Sequence, residues 1–145
     1  MSGIYIHIPF CKQACHYCNF HFSTSLKYKD DLINALVKEI SLTPLYGEPP
    51  RVETIYFGGG TPSIISIDDL NKILDPIRQK WLIADEAEIT LEANPDDISS
   101  TKLRQWKENG INRLSVGIQS FNDEELKWMN RAHTAAESVQ CIDEI

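Results

Sequence analysis

Glu88-Ile89-Thr90-Leu91-Glu92 and Leu114-Ser115-Val116-Gly117-Ile118-Gln119 alternate apolar and polar side chains with a period of two, the pattern of strands with one buried and one wet face. Around them the 145-residue chain repeats a strand-then-helix order. Ile4, Ile6 and Ile8 alternate with Tyr5 and His7, which predicts a first strand over residues 3–8. A polar, cysteine-bearing loop follows to about residue 25. Tyr28, Leu32, Leu36 and Ile40 recur every fourth residue, predicting a helix that ends near Thr43-Pro44. Thr54-Ile55-Tyr56-Phe57 reads as a second strand and runs into Gly58-Gly59-Gly60-Thr61-Pro62. Asp68 and Asp69 open a second helix, where the helix dipole favours anions, and Leu70, Ile73, Leu74 and Ile77 continue it. A third strand, Glu88 to Glu92, stops at Asn94-Pro95. A third helix over residues 100–108 ends at Asn109-Gly110. Arg113 to Ile118 gives a fourth strand, and helical pattern resumes from about Asp123.

Four such units imply parallel strands joined by right-handed crossovers. An open doubly wound sheet and a β/α barrel both satisfy that order. Strands sandwiched between two helix layers read as continuous apolar runs. The alternation quoted above instead predicts helices on one face and a polar, substrate-lined interior on the other, as in a barrel. A complete eightfold barrel takes ~250 residues, and Asp143-Glu144-Ile145 stops inside a helical pattern. The expectation is one incomplete unit, residues 1–145, forming the first part of a longer barrel, with no linker, repeat or low-complexity segment. An incomplete barrel with an exposed edge strand would be inert by itself.

Apolar residues make up 42% of the chain and charged residues 24%, as in folded proteins. The 14 basic and 21 acidic residues give a net charge of −7, which argues against a surface that tracks nucleic-acid phosphates. No apolar run approaches a membrane span. No basic segment followed by an apolar one marks a secretory signal. The expected location is therefore cytoplasmic, where Cys11, Cys15 and Cys18 read as metal ligands rather than disulfide partners. Cys141 stands apart and reads as a buried apolar residue or free thiol.

In β/α folds chemistry gathers at the C-terminal ends of the strands. The distinctive features of this chain fall there. The first is Cys11-x3-Cys15-x2-Cys18 after strand one. Iron–sulfur clusters usually take four cysteines; three leave one iron of a [4Fe-4S] cube open to an outside ligand. The open iron could chelate the amino and carboxylate groups of S-adenosylmethionine, whose reductive cleavage releases a 5′-deoxyadenosyl radical. The competing reading is a structural zinc site of three cysteines and one histidine, completed by His16 or His21, although no second pair of ligands accompanies it. The second feature is the glycine run. By itself it is a tight turn; functionally it exposes backbone carbonyls to a ligand ammonium, with the Thr61 hydroxyl beside them. No Gly-Lys-Ser/Thr follows, so it is not a phosphate-binding loop of the Walker type. Glu92 and Gln119, at the ends of strands three and four, are either water-satisfied or placed to bind ribose hydroxyls or the amino-acid end of a cofactor. Tyr5 and His7 share the inward parity of strand one, with His7 expected as a hydrogen-bonded core histidine. Trp81, Trp106 and Trp128 are expected to pack.

The runs Tyr5-Ile6-His7-Ile8-Pro9-Phe10-Cys11-x3-Cys15-x-Tyr17-Cys18, Phe57-Gly58-Gly59-Gly60-Thr61-Pro62, Glu92-x-Asn94-Pro95 and Ser115-x-Gly117-x-Gln119-Ser120 resemble the radical S-adenosylmethionine family of oxygen-independent coproporphyrinogen III oxidases. The resemblance spans essentially the whole chain. It implies a partial (β/α)6 barrel in which Cys11, Cys15 and Cys18 hold the cluster and Tyr5, Gly59 and Glu92 contact the cluster-bound cofactor. Tyr17, Gly60, Thr61, Gln119 and Arg131 match positions that line a second cofactor site. The oxidases carry a further cysteine two residues beyond the third ligand, where this chain has Phe20. In that respect it resembles the haem-chaperone branch of the family, which hands haem to acceptor proteins, rather than the enzymes that decarboxylate coproporphyrinogen III to protoporphyrinogen IX. The resemblance also implies haem or a porphyrinogen as partner, and a low-potential electron donor such as flavodoxin or ferredoxin.

Overall fold

The computed structural model describes residues 2–145. Four strands, β1 (Ser2–Ile8), β2 (Arg51–Gly59), β3 (Leu82–Ala93) and β4 (Arg113–Val116), form one parallel sheet in the order β1-β2-β3-β4. Each strand lies beside its predecessor. A doubly wound sheet reverses direction at a switch point; consecutive order is the arrangement of a barrel wall.

Register explains the alternation in the sequence. Ile6 pairs with Phe57, Phe57 with Leu91 and Leu91 with Leu114. This row faces the helices, and Ile6, Phe57 and Leu91 are buried in the core. The row one residue back joins Tyr5, Tyr56, Thr90 and Arg113, and Glu92 pairs with Ser115 in the row beyond. These polar side chains line the opposite, concave face.

Helices α1 (Lys29–Leu42), α2 (Ile67–Lys80) and α3 (Ser100–Glu108) follow the first three strands, as the sequence predicts. They supply Ile33, Leu70, Ile73, Leu74, Ile77 and Trp106 to the core. The Ser66 hydroxyl caps α2 by accepting from the Asp69 N–H at 3.1 Å. Gly110, at φ +94°, closes α3 in the left-handed region.

The structure departs from the expectations in five places. β3 begins at Leu82, well before Glu88, because Leu82 and Ile83 pair with Arg51 and Val52 ahead of a register shift. β4 ends at Val116 rather than Ile118. The final helical pattern is split into α4 (Asp123–Trp128) and α5 (Ala135–Glu144). Asn130 between them adopts φ +58°, which no helix continues through. His7 is exposed on the concave face, not in the core, and its Nδ1 lies 3.1 Å from the Tyr5 hydroxyl. Trp128 is 74% exposed, whereas Trp106 is buried and Trp81 packs against the core as expected. Cys141 is buried. Among the described residues, no helix is long and apolar enough to cross a membrane.

One buried ion pair ties α1 to α2 near their N-termini. Lys29 Nζ meets the Asp69 carboxylate, and Lys72 Nζ lies 3.2 Å from its other oxygen. Burial alone would raise the Asp69 carboxyl, but Lys29, the Ser66 hydroxyl and Lys72 outweigh it and hold the group at about 2, against an ordinary 3.8. A lowered folded value stabilises above the unfolded value and is lost as pH falls toward the folded one. Asp69→Asn is therefore expected to cost about 2 kcal/mol at pH 7. Denaturant titrations should show that difference shrinking between pH 4 and pH 2; a pH-independent gap would contradict the assignment.

Candidate functional site

The segment after β1 leaves the sheet at Pro9 and is held from several sides. Cys11 N–H donates to Ser23 O at 3.0 Å and Ser23 N–H to Pro9 O at 2.8 Å, closing the cysteine loop at its base. Lys12 reaches across to Asp96 and Asp97 just beyond β3. The far side of the loop is bound by the turn after α4. His16 N–H donates to Met129 O at 3.1 Å, and His16 Nδ1 lies 2.8 Å from Trp128 O. Gln13 Nε2 donates to Asn130 Oδ1, and Asn130 Nδ2 to Ala14 O, both at 2.7 Å. None of the residues from Cys11 to Ser25 is buried, so these contacts fix the shape of the loop.

The glycine run at the end of β2 packs directly on this loop. Gly60 N–H donates to Ile8 O at 2.9 Å and Thr61 N–H to Phe10 O at 2.7 Å. A side chain at Gly60 would place its Cβ 2.6 Å from Phe10 O and 2.9 Å from Cys11 Sγ, closer than atoms can sit. Gly59, at φ +117°, turns its N–H toward Glu92 Oε2 at 3.1 Å. The other carboxylate oxygen, Oε1, accepts from the Tyr56 hydroxyl at 2.7 Å. Glu92 is thus oriented by both neighbours on β2.

Arg131 closes the opposite side. Its Nη2 donates to Asn94 Oδ1 at 2.8 Å and to Gly117 O at 2.7 Å, which links the ends of β3 and β4. Its Nη1 lies 3.4 Å from Cys15 Sγ and 3.3 Å from the Tyr17 hydroxyl. Gln119 adopts φ +66° at the end of β4, and its side chain is packed close to Gly117. His133, buried, sets the same turn by bonding Ile118 O at 2.9 Å.

Together these segments enclose a cavity of about 370 Å³. Cys11, Cys15, Cys18, Tyr17, Gly59, Gly60, Thr61, Glu92, Gln119 and Arg131 all line it. Tyr5 does not; its ring stacks on Tyr56 lower on the concave face, with ring centroids 6.0 Å apart. Asn94 and Ser115 also line the cavity, although the sequence reading assigned them no role. Their place beside Glu92 and Gly117 at strand ends was the available signal. The clamp formed by Gln13 and Asn130 had none, since more than a hundred residues separate its halves.

The donor set fits an iron–sulfur cluster. All three thiols are free and half-buried, face one cavity, and include the soft ligands such clusters take. Burial pushes the Cys11 thiol up, and the Cys18 and Cys15 thiols add to this, while the Thr61 hydroxyl and the Arg131 charge oppose it. Among the described residues, no three His, Cys, Asp or Glu side chains converge tightly enough to hold a single ion. His16, one of the two candidate fourth zinc ligands beside His21, turns its Nδ1 to a backbone carbonyl.

The radical SAM superfamily model matches residues 5–145, and the chain belongs to that superfamily. It is 42% identical to heme chaperone HemW of Bacillus subtilis over 92% of this chain and 36% of that protein. It is 39% identical to heme chaperone HemW of Escherichia coli over 94% of this chain and 36% of that protein. The solved structure of the coproporphyrinogen III oxidase HemN from Escherichia coli superimposes with a TM-score of 0.89 at 27% identity. That superposition covers 99% of this chain and 34% of the oxidase. The chain therefore spans about a third of the length of these relatives, and its four parallel strands correspond to part of the oxidase's radical SAM barrel. Membership of the superfamily implies S-adenosylmethionine and a [4Fe-4S] cluster.

The close fit at Gly60 gives a direct test of this construction. Gly60→Ala should displace Phe10 and Cys11, lowering stability by about 1–3 kcal/mol in denaturant unfolding. It should also make Cys11 react faster with a thiol reagent; unchanged stability and reactivity would show that the loop is not held against the glycine run.

Proposed function

We propose that Cys11, Cys15 and Cys18 hold the [4Fe-4S] cluster and that residues 1–145 form the first part of a six-unit radical SAM barrel in a haem-handling protein. The observation that carries this reading is the convergence of the three thiols with Gly59, Gly60, Thr61, Glu92 and Gln119 on one cavity. Held by Cys11, Cys15 and Cys18, the cluster would supply the electron for reductive cleavage of S-adenosylmethionine.

The chain's own residues bind and orient. Gly59 and Gly60, without side chains, leave main-chain carbonyls for a ligand ammonium. Glu92, already held by the Tyr56 hydroxyl and the Gly59 N–H, keeps lone pairs for ribose hydroxyls. A carboxylate pinned in this way loses little freedom on binding. Tyr5, one row lower on the concave face, would contact the same molecule from that side. Tyr17, Gly60, Thr61, Gln119 and Arg131 are the side on which a second cofactor molecule would lie. Electrons would come from a low-potential donor such as flavodoxin or ferredoxin in the cytoplasm.

Haem handling is favoured over porphyrinogen oxidation by two features. The relatives of about 40% identity named above are haem chaperones. Phe20, which lines the cavity at 76% exposure, stands where the oxidases carry a further cysteine. The alternative, oxidative decarboxylation of coproporphyrinogen III, follows from the shared barrel.

Anaerobic reconstitution of the whole protein should give a brown solution that bleaches under dithionite. Given S-adenosylmethionine, the reduced protein should release 5′-deoxyadenosine and methionine. Cys11→Ser, Cys15→Ser or Cys18→Ser should each abolish the colour. A colourless protein holding one zinc would sink the cluster assignment. Stable haem binding without turnover is expected; anaerobic conversion of coproporphyrinogen III to protoporphyrinogen IX would replace chaperone by oxidase.

A further inference from the structure

Besides lining the cavity, Arg131 makes a contact to one of the cysteine sulfurs. Its guanidinium has five N–H donors, and the fork is committed within the protein. Nη2 is anchored on Asn94 Oδ1 and Gly117 O. Nη1 is directed at Cys15 Sγ, 3.4 Å away, and at the Tyr17 hydroxyl, 3.3 Å away. Nε is buried without a partner. The paired groups face two strand ends and one sulfur.

Hydrogen bonds to the sulfurs, net charge and solvent exposure set the potential of an iron–sulfur cluster. Arg131 acts on the first two at once, since reduction adds negative charge beside a fixed cation that donates to a ligand sulfur. We propose that Arg131 is a potential-setting residue for the cluster, raising its reduction potential through a charged N–H···S bond to Cys15, with Asn94 as the residue that positions it. This rests on the reading of Cys15 as a cluster ligand.

Two strand ends fix the direction of that bond. Asn94 follows β3 directly and Gly117 follows β4, so the guanidinium is referenced to the sheet rather than to the mobile part of a side chain. Lysine cannot reproduce this arrangement, because its ammonium lacks the planar fork.

The test is an anaerobic redox titration of the reconstituted whole protein, followed by the low-temperature electron paramagnetic resonance signal of the reduced cluster, without S-adenosylmethionine. Arg131→Met should leave roughly tenfold fewer clusters reduced at a fixed potential, a shift of about 59 mV to more negative values for one electron. Arg131→Lys should fall between Met and the parent. Asn94→Ala keeps the charge but removes an anchor, and should give a smaller shift of the same sign. It carries the test if Arg131→Met loses its cluster. Potentials equal to the parent's in the variants that hold a cluster, or shifted to more positive values, would overturn the proposal. A parent protein that takes up no cluster would instead overturn the assignment of Cys15.

Discussion

A parallel sheet in consecutive order, covered by helices on one side only, is the constraint from which the site follows. The core can bury one row of each strand: Ile6, Phe57, Leu91 and Leu114. The opposite face carries the polar rows, Tyr5, Tyr56 and Thr90 in one and Glu92 in the next. Because all strands run the same way, their C-terminal ends share one edge, and each connecting segment begins there. The helices return antiparallel, so the N-termini of α1 and α2 lie near that edge as well, where Lys29 and Asp69 lock them together. Chemistry at this edge is therefore a consequence of connectivity, with residue types deciding which chemistry.

The second layer of organisation is polar. The cysteine loop has almost no apolar anchor besides Phe10, so hydrogen bonds and ion pairs give it shape. Lys12 ties it to the β3 turn, the glycine run seats its base, and Trp128 to Arg131 hold its rim. Buried polar networks stabilise only when fully satisfied. This one is satisfied in part: Glu92 has partners on both oxygens and Asn130 uses both its amide oxygen and nitrogen, whereas Arg131 Nε and His133 Nδ1 are buried without a hydrogen-bond partner. Conformational freedom is removed from the thiols before any ligand arrives.

Much of this was legible in the sequence because it is local. Alternation in Glu88–Glu92 revealed a one-sided strand, Asp68-Asp69 a helix start, and the cysteine run the polar loop that follows β1. Gly59, Glu92 and Gln119 were traceable because each lies at a strand end or in the turn just beyond one, and strand ends meet in a parallel sheet. What escaped was set by partners far along the chain. The N-terminal half of β3 exists because Leu82 and Ile83 find Arg51 and Val52. The break between α4 and α5 coincides with Asn130 turning left-handed to reach Ala14. His7 alternates as a core residue would, yet faces the open side, since period-two patterning gives two faces without naming the buried one. Tyr5 shares that face but stops one row short of the cavity. Parity gives direction, not height along the strand.

The placement of Arg131 shows how far the site is an electrostatic unit. Taking a guanidinium out of water costs several kcal/mol unless acceptors replace the lost hydration. Asn94 Oδ1, Gly117 O and the Tyr17 hydroxyl supply part of that replacement; all are neutral. The carboxylate that lines the same cavity, Glu92, is engaged with Tyr56 and Gly59 rather than with the arginine. What remains to balance the cation is the sulfur of Cys15 and, around it, those of Cys11 and Cys18. A protonated thiol is a weak acceptor, whereas a thiolate is both a good acceptor and a counter-charge. Cysteines bind metal as thiolates, so with a metal group in the loop the arginine would face a counter-charge. Three thiolates in one half-buried loop repel one another, and the same cation offsets that repulsion. Loop and arginine, more than a hundred residues apart in the chain, each relieve the electrostatic cost that the other would otherwise impose.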